Sequence, residues 1–542
     1  MYGKLYSACL YGIDGVVIQV EVDLANGLPQ TSIIGLPDSS IRESVERVRA
    51  AIKNCGYTYP MQRVTVNLAP ADLRKEGSSF DLAIALGILT TSGQLTLASS
   101  DRLLMLGELA LDGSLRPVTG VLSMVERAKR DGFQGVLLPR DNAAEASLIG
   151  GIKIYGISHL SDLTEVEMPD KENSNDHKSS VSRNKKEEPI TVSLSRLQYH
   201  PEITTKDRRN DRPEASIEDY SDVLGQLHVK RALTIAAAGM HNILLIGPPG
   251  TGKTMLIKRL STILPALSEQ ESLETTKIFS AAGKLKQSEG LIHNRPFRSP
   301  HHTISTGGLI GGGTIPKPGE VSLAHRGILF LDELPEFSRS VLEVLRQPLE
   351  DHEVTISRAR AVFTFPARFM LACSMNPCPC GYYGSDHPLH RCSCSYQRIS
   401  QYRAKISGPL LDRIDLQVDV PRPKEWPSGT MPLSSEEMRL QVNTAQRIQS
   451  ARYRNTPFRS NSELSGSALR RFTKLGNDAA DLLHSTLDML GLSMRAYDRI
   501  LKLARTIADL EGLAEISFDH VAEAIQYRQL DKQAITTDEV MH

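Results

Sequence analysis

What this chain lacks narrows the field first. Its 542 residues contain no stretch of about 18 apolar residues, the length a membrane helix needs, so no membrane partner is expected. The opening Met1-Tyr2-Gly3-Lys4-Leu5-Tyr6 has neither the apolar core nor the small-residue cleavage site of a secretory leader. An excess of either charge is missing too. The 63 Lys and Arg residues are matched by 63 Asp and Glu, so net charge argues neither for nor against nucleic acid, and any basic surface must be local. Cysteine is scarce. Of the seven, four crowd between 378 and 394, unlike the disulfide framework of a secreted protein. The chain is expected to work in the cytoplasm. Apolar residues at 40% and charged residues at 23% are ordinary for a globular protein, and the length suggests about three or four domains.

What is present centres on residues 247–254, Gly247-Pro248-Pro249-Gly250-Thr251-Gly252-Lys253-Thr254. This is the phosphate-loop pattern of four free positions followed by Gly-Lys-Thr. The apolar run Asn242–Ile246 before it reads as a buried parallel strand, and Met255–Leu260 after it reads as the start of a helix. In that setting the glycines let backbone N–H groups close around phosphates at a helix N-terminus. Lys253 is expected to reach the β- and γ-phosphates of ATP, and the Thr254 hydroxyl to hold Mg2+. A second signal is Gly327-Ile328-Leu329-Phe330-Leu331-Asp332-Glu333, an apolar strand ending in two acids. In a parallel sheet such acids lie at the C-terminal edge, beside the first loop. Asp332 is expected to hold magnesium through water, and Glu333 to polarise the attacking water.

Four stretches follow from composition and periodicity. Residues 1–165 alternate strand and helix signals, among them a strand over Val16–Val22, a helix over Ser39–Cys55 and a helix over Val121–Arg130, and predict an α+β or α/β domain. Residues 166–215, with Lys171-Glu172-Asn173 and Lys185-Lys186-Glu187-Glu188, are polar and charged and predict mostly a disordered tether. Residues 216–422 carry the phosphate loop, and 423–542 are helical, with helices over Ala468–Leu490, Ser493–Leu510 and Phe518–Arg528. Between 350 and 363, Glu350-Asp351-His352-Glu353-Val354-Thr355-Ile356-Ser357-Arg358-Ala359-Arg360 reads into a β-hairpin. Arg358 and Arg360 alternate onto one side of it, where they could contact DNA phosphates or simply be solvated on an edge strand. Cys378-x-Cys380 and Cys392-x-Cys394, with eleven residues between the pairs, could make a four-thiolate Zn2+ site, although C-x₂-C spacing is more usual. His387 and His390 could substitute as ligands, and free reduced thiols are the alternative.

Several long stretches together resemble the magnesium-chelatase-like AAA+ ATPases of the YifB/ComM family. They are Arg295-Pro296-Phe297-Arg298-Ser299-Pro300-His301-His302-Thr303, Pro318-Gly319-Glu320-Val321-Ser322-Leu323-Ala324-His325-Arg326-Gly327 and Asn376-Pro377-Cys378-Pro379-Cys380-Gly381. The resemblance implies an α/β AAA+ phosphate-loop core with a C-terminal helical lid. It also implies a homohexameric ring, and a motor that migrates DNA branches during uptake of single strands in natural transformation. In such ATPases a polar residue like Asn376, at the end of a third buried strand, orients the water. Arg413, in Gly408-Pro409-Leu410-Leu411-Asp412-Arg413, matches an arginine finger offered to a neighbouring subunit. Arg495 matches a second-sensor arginine reaching back to the γ-phosphate. The hairpin would project into the ring's pore. An alternative from the same resemblance is an ATPase subunit of a magnesium-chelatase-type or protein-remodelling complex.

The first 165 residues resemble the proteolytic domain of Lon, an α+β (S5 domain 2-like) fold. The resemblance rests on Lys75-Glu76-Gly77-Ser78-Ser79-Phe80-Asp81 and Gly113-Ser114-Leu115-Arg116-Pro117-Val118-Thr119-Gly120. Ser79 matches Lon's nucleophile, but Leu122 stands where its lysine base should be, and a serine without a base is a poor nucleophile. An inactive peptidase fold kept for assembly or for a partner is expected.

Overall fold

The structure, a computed structural model, describes residues 1–97, 99–164, 189–201, 218–286, 290–313, 316–358, 361–384, 391–422, 432–490 and 493–528. The chain divides into two compact units. One comprises Met1–Asp207 with Thr276–Leu291, and the other Arg208–Thr275 with Ile292–His542.

The first unit is built on a seven-stranded mixed sheet. Its strands are β1 (Tyr2–Tyr11), β2 (Asp14–Ala25), β3 (Gln30–Ile34), β4 (Arg63–Ala69), β6 (Leu103–Met105), β7 (Gly135–Pro139) and β8 (Lys153–Ile157), in the order β8-β7-β6-β1-β2-β4-β3. β1 and β2 form a long antiparallel hairpin, and β1 also pairs in parallel with β6. Helices α1 (Ser39–Asn54), α2 (Asp81–Thr91) and α3 (Val121–Arg130) bring buried faces to this unit. Asp38 caps α1 by accepting from the Ile41 N–H. Every residue of α2 except Thr90 is buried, as expected of a helix apolar all round. The hydropathy pattern read α1 and α3 to within one residue and β2 to within three. It did not read β1, whose alternation is interrupted by the buried Ser7 and Ala8.

Within the stretch expected to be a tether, residues 189–201 are described and Ile190–Val192 is a strand (β9), parallel to β5 (Leu95–Leu97). Val192 is buried there, which a polar composition averaged over 50 residues concealed. The charged runs at 165–188 and 202–217 lie outside the described residues.

The second unit has an all-parallel five-stranded sheet. Its strands are β10 (Ile243–Ile246), β11 (Phe297–Arg298), β12 (Ile328–Leu331), β15 (Met370–Met375) and β16 (Leu416–Asp419), in the order β11-β12-β15-β10-β16. All residues of β10, β12 and β15 are buried, as parallel strands covered on both faces require. Helix α4 (Leu227–Gly239) precedes β10, and α5 (Lys253–Lys258) follows the phosphate loop. Later come α6 (Tyr396–Arg403), α7 (Gly408–Leu411), α8 (Ser435–Arg452), α9 (Gly466–Phe472), α10 (Asn477–Leu490), α11 (Met494–Leu510) and α12 (Phe518–Gln526). The helix expected over Ala468–Leu490 is thus two helices, parted at 473–476 where Gly476 stands.

These C-terminal helices share one core with the sheet. Ala236 of α4, Leu245 of β10, Val442 of α8 and Ile500 and Ile507 of α11 belong to a single buried cluster. Tyr220 ties the parts further: its hydroxyl donates to Leu256 O at 2.7 Å and its N–H to Ser435 Oγ at 2.9 Å. The hairpin expected near 350–363 is shifted by a few residues, with β13 at Glu353–Arg358 and β14 at Ala361–Pro366. Glu350 and Asp351 instead end a short helix, closed by His352 in a left-handed conformation. Among the described residues no helix is long and apolar enough to cross a membrane.

Candidate nucleotide site

β10 delivers the chain to Gly247, where a side chain would meet Val420 O at 2.3 Å. The loop then turns over to Gly252, whose φ of +83° starts α5 with no side-chain cap, a backbone most L-residues avoid. Lys253, only 9% exposed, sits in the loop's mouth. Its ammonium donates to Gly247 O at 2.6 Å, to Pro248 O at 2.8 Å and to Asn376 Oδ1 at 3.2 Å. Burial pulls its pKa below the usual lysine value, and the charges of Asp332 and Glu333 oppose that shift. Thr251 Oγ1 closes the loop on Pro248 O at 3.0 Å.

Beside the lysine, the Thr254 hydroxyl donates to Asp332 Oδ2 at 2.8 Å. The other carboxylate oxygen, Oδ1, accepts from the Ser374 hydroxyl and from the Glu333 N–H at 3.1 Å. Glu333 itself has φ of +54° and an exposed side chain. A glutamate in the left-handed region costs about 1–3 kcal/mol and persists where its surroundings fix it. Here the fixing contacts are the N–H bonds to Asp332 and, at 3.3 Å, to Ser374 Oγ. Three elements, α5, the end of β12 and β15 with the residue after it, therefore bring five side chains together in two hydrogen-bonded groups, Lys253–Asn376 and Thr254–Asp332–Ser374. Ser374 was not picked out from sequence, although a lone hydroxyl in the buried run Met370–Met375 was a signal.

Tyr402 of α6 is a further neighbour. Its hydroxyl is hydrogen-bonded to the backbone of Asn376, and burial pushes its pKa up to about 12.

The two arginines lie elsewhere. Arg413 follows α7 and precedes β16. Its guanidinium donates to Pro409 O at 2.6 Å and pairs with Glu350. Arg495, expected to reach back to the γ-phosphate, stands 3.6 Å from Asp412. One turn along α11, Arg499 pairs with Asp415 at 2.9 Å. Two arginines spaced i, i+4 on α11 thus meet two acids on the α7–β16 turn. Arg413, Arg495 and Arg499 line a cavity of about 970 Å³, and Lys253, Thr254, Asp332 and Glu333 do not.

On the hairpin, Val354 and Ile356 are buried, and Arg358 continues their face into the open. Arg358 Nη2 donates to Gly313 O at 3.0 Å; Arg360 lies outside the described residues. The four cysteines come together: the sulfurs of Cys378, Cys380, Cys392 and Cys394 all lie within 4.8 Å of one another. His387 and His390 are outside the described residues.

In the first unit, Ser79 Oγ donates to Ala8 O at 3.0 Å and is buried. Leu122 is fully buried on α3, and Lys75, also fully buried, donates to Pro70 O.

Three family models match the chain. "Magnesium chelatase, subunit ChlI" covers residues 219–426, "Subunit ChlI of Mg-chelatase" residues 20–142, and "Magnesium chelatase, subunit ChlI C-terminal" residues 432–528. Competence protein ComM of Haemophilus influenzae is 42% identical over 532 residues, 97% of each chain. YifB of Escherichia coli is 40% identical over 533 residues, 98% of each chain. Lon protease 2 of Bacillus subtilis is 25% identical over 173 residues, 29% of this chain and 31% of its own length.

Proposed function

This chain belongs to the magnesium-chelatase-like family that includes ComM and YifB, and from that premise we propose that it is an ATP-hydrolysing motor that moves branched DNA. The observation carrying the ATPase part is the hydrogen-bonded set Lys253–Asn376 and Thr254–Asp332–Ser374. In this reading the backbone of Gly247–Gly252 and the Lys253 ammonium bind the β- and γ-phosphates, as a loop at a helix N-terminus does. Thr254 and Asp332 would hold Mg2+. They are hard oxygen donors 2.8 Å apart, including one carboxylate, and such a pair suits that ion. When bound, the ion neutralises charge developing on the phosphates. Glu333 accepts a proton from the attacking water, and Asn376 orients that water.

Arg413 and Arg495 belong, in this proposal, to the site of the next subunit in a homohexameric ring. Their shared cavity is lined by none of the chain's own phosphate-loop side chains Lys253 and Thr254, which favours presentation outward. Arg358 and Arg360 are assigned to DNA phosphates in the pore. The name of the similar competence protein ComM points to competence, so the proposed setting is cytoplasmic integration of incoming single-stranded DNA by branch migration. A Zn2+ ion on Cys378, Cys380, Cys392 and Cys394 completes the proposed cofactors, with ATP and Mg2+. The first unit is read as a Lon-like domain without peptidase activity: the Ser79 proton is engaged by a carbonyl rather than a base.

The deciding experiment is strand-exchange branch migration by purified wild type, Lys253→Ala and Glu333→Gln. Movement of a junction with ATP by wild type alone supports the motor. Absence of DNA binding and of movement would overturn it. A second reading, an ATPase subunit of a magnesium-chelatase-type or protein-remodelling complex, is favoured by the descriptions of all three matching models. ATPase stimulation by a porphyrin-linked partner or an unfolded protein, rather than by DNA, would select it.

A further inference from the structure

The four cysteines are not remote from the nucleotide loop. Cys378 stands two residues after Asn376, and Gly381 follows Cys380 directly. Asn376 Oδ1 accepts from Lys253. Gly381, with φ of +86°, lies so close to the loop that a Cβ there would sit 2.6 Å from Pro249 Cδ. Both sides of the first cysteine pair thus touch the phosphate loop. The second pair leads straight into α6, capped by Ser395, whose Oγ accepts from the Arg398 N–H. From α6, Arg403 donates to Pro377 O at 3.3 Å and Tyr402 bonds the Asn376 backbone. The two cysteine pairs therefore anchor two separate pieces of chain that converge on Asn376.

The sulfur geometry suits a metal. Cys378 Sγ is 3.3 Å from Cys380 Sγ and 3.7 Å from Cys392 Sγ, and Cys380 Sγ is 3.6 Å from Cys392 Sγ. A tetrahedral zinc with bonds of about 2.3 Å separates its sulfurs by about 3.8 Å, whereas a disulfide would bring two of them to about 2.05 Å. The Tyr383 N–H also points at Cys378 Sγ, at 3.4 Å, the kind of donor that steadies a ligating thiolate.

We propose that a zinc ion on Cys378, Cys380, Cys392 and Cys394 is the clamp that holds Asn376 and the Pro248-Pro249 side of the phosphate loop in register, so that ATP turnover depends on its occupancy. This rests on the zinc assignment above and goes beyond it. With the clamp, the strand end at Asn376, the Gly381 turn and α6 move as one piece. Without it, Asn376 and the Gly381 turn keep their hydrogen bonds to Lys253, Tyr402 and Arg403 and lose the metal tie between the two cysteine pairs. A displacement of about 1 Å in such positioning groups can cost about 100-fold in rate.

The test begins with zinc content of the full-length protein purified in reductant, where about one ion per chain is expected. Stripping that zinc with a mercurial and a chelator should lower ATPase kcat by about 10–100-fold, and zinc returned after thiol regeneration should restore it. Gly381→Val leaves every thiol in place. It should keep its zinc and elute like wild type, melt a few degrees lower because φ of +86° strains any residue with a Cβ, and still lose kcat to a similar degree, because the new side chain collides with Pro249. Zinc bound but ATPase unchanged on stripping and in Gly381→Val would overturn the clamp and leave the zinc assignment standing. No zinc in the purified protein would overturn both.

Discussion

Ser374 is a small residue with two duties. Its hydroxyl donates to Asp332 Oδ1 and receives the Glu333 N–H, so it fixes both the proposed magnesium carboxylate and a strained glutamate. Ser374→Ala should lower ATPase kcat by about 10–100-fold and raise the magnesium concentration needed for half-maximal rate, as loss of a ligand-orienting partner does; a magnesium titration of turnover reads both. Glu333→Gln removes only the proton acceptor. It should bind a fluorescent ATP analogue as wild type does while hydrolysis falls by at least about 100-fold. At this scale the sequence was informative where chemistry is tied to short spacing. Lys253, Thr254 and Asp332 were legible because a loop pattern and a strand ending in acids each lie within a few residues. Ser374, Tyr402 and Glu350 were not, because their partners come from segments tens of residues away.

Among elements, α11 ends in a buried ion-pair cluster. Asp509 is fully buried and takes Arg452 from α8 and Arg505 from its own helix. Removing the acid leaves two cations in the core, so Asp509→Ala should cost about 3–5 kcal/mol, measured by urea denaturation. The helix Glu269–Ala281 meets the turn before β12 through Glu274, which lies 3.6 Å from His325 Nε2 and 3.0 Å from Arg326. The bond to His325, with Arg326 adding its charge, holds the Glu274 carboxyl down at about 2, and burial lowers the pKa of His325. Both shifts make the folded state the poorer proton binder, so both favour folding at neutral pH. On acidification the histidine's contribution goes first, below its ordinary 6.5, and the carboxylate's follows between 4.5 and about 2. The melting temperature should therefore fall in two stages as pH drops, and His325→Gln should lack the first. Helix and strand periods read most of these elements correctly. The break at 473–476, the shifted hairpin and β9 were missed because each is decided by one or two residues against the local average.

At the scale of the assembly, Arg413 is the telling residue, since it is held by Glu350 beside a cavity that its own phosphate-loop side chains do not line. If it serves the neighbour, Lys253→Ala and Arg413→Ala chains, each inactive alone, should regain ATPase when mixed, because one kind of junction in a mixed ring joins an intact loop to an intact arginine. A strictly internal arginine would give no recovery. The proposed ring would also reconcile zero net charge with the proposed DNA binding, because one exposed Arg358 per chain would be repeated around its pore.

The placement of β1 has a consequence of its own. β1 is the middle strand of seven, hydrogen-bonded to β2 on one side and to β6 on the other. Trimming residues 2–11 would not shave an edge. It would split the sheet into two halves, each with a raw border open to other chains, and such a nicked product is one that cellular quality control would meet as an aggregate rather than as a shortened protein.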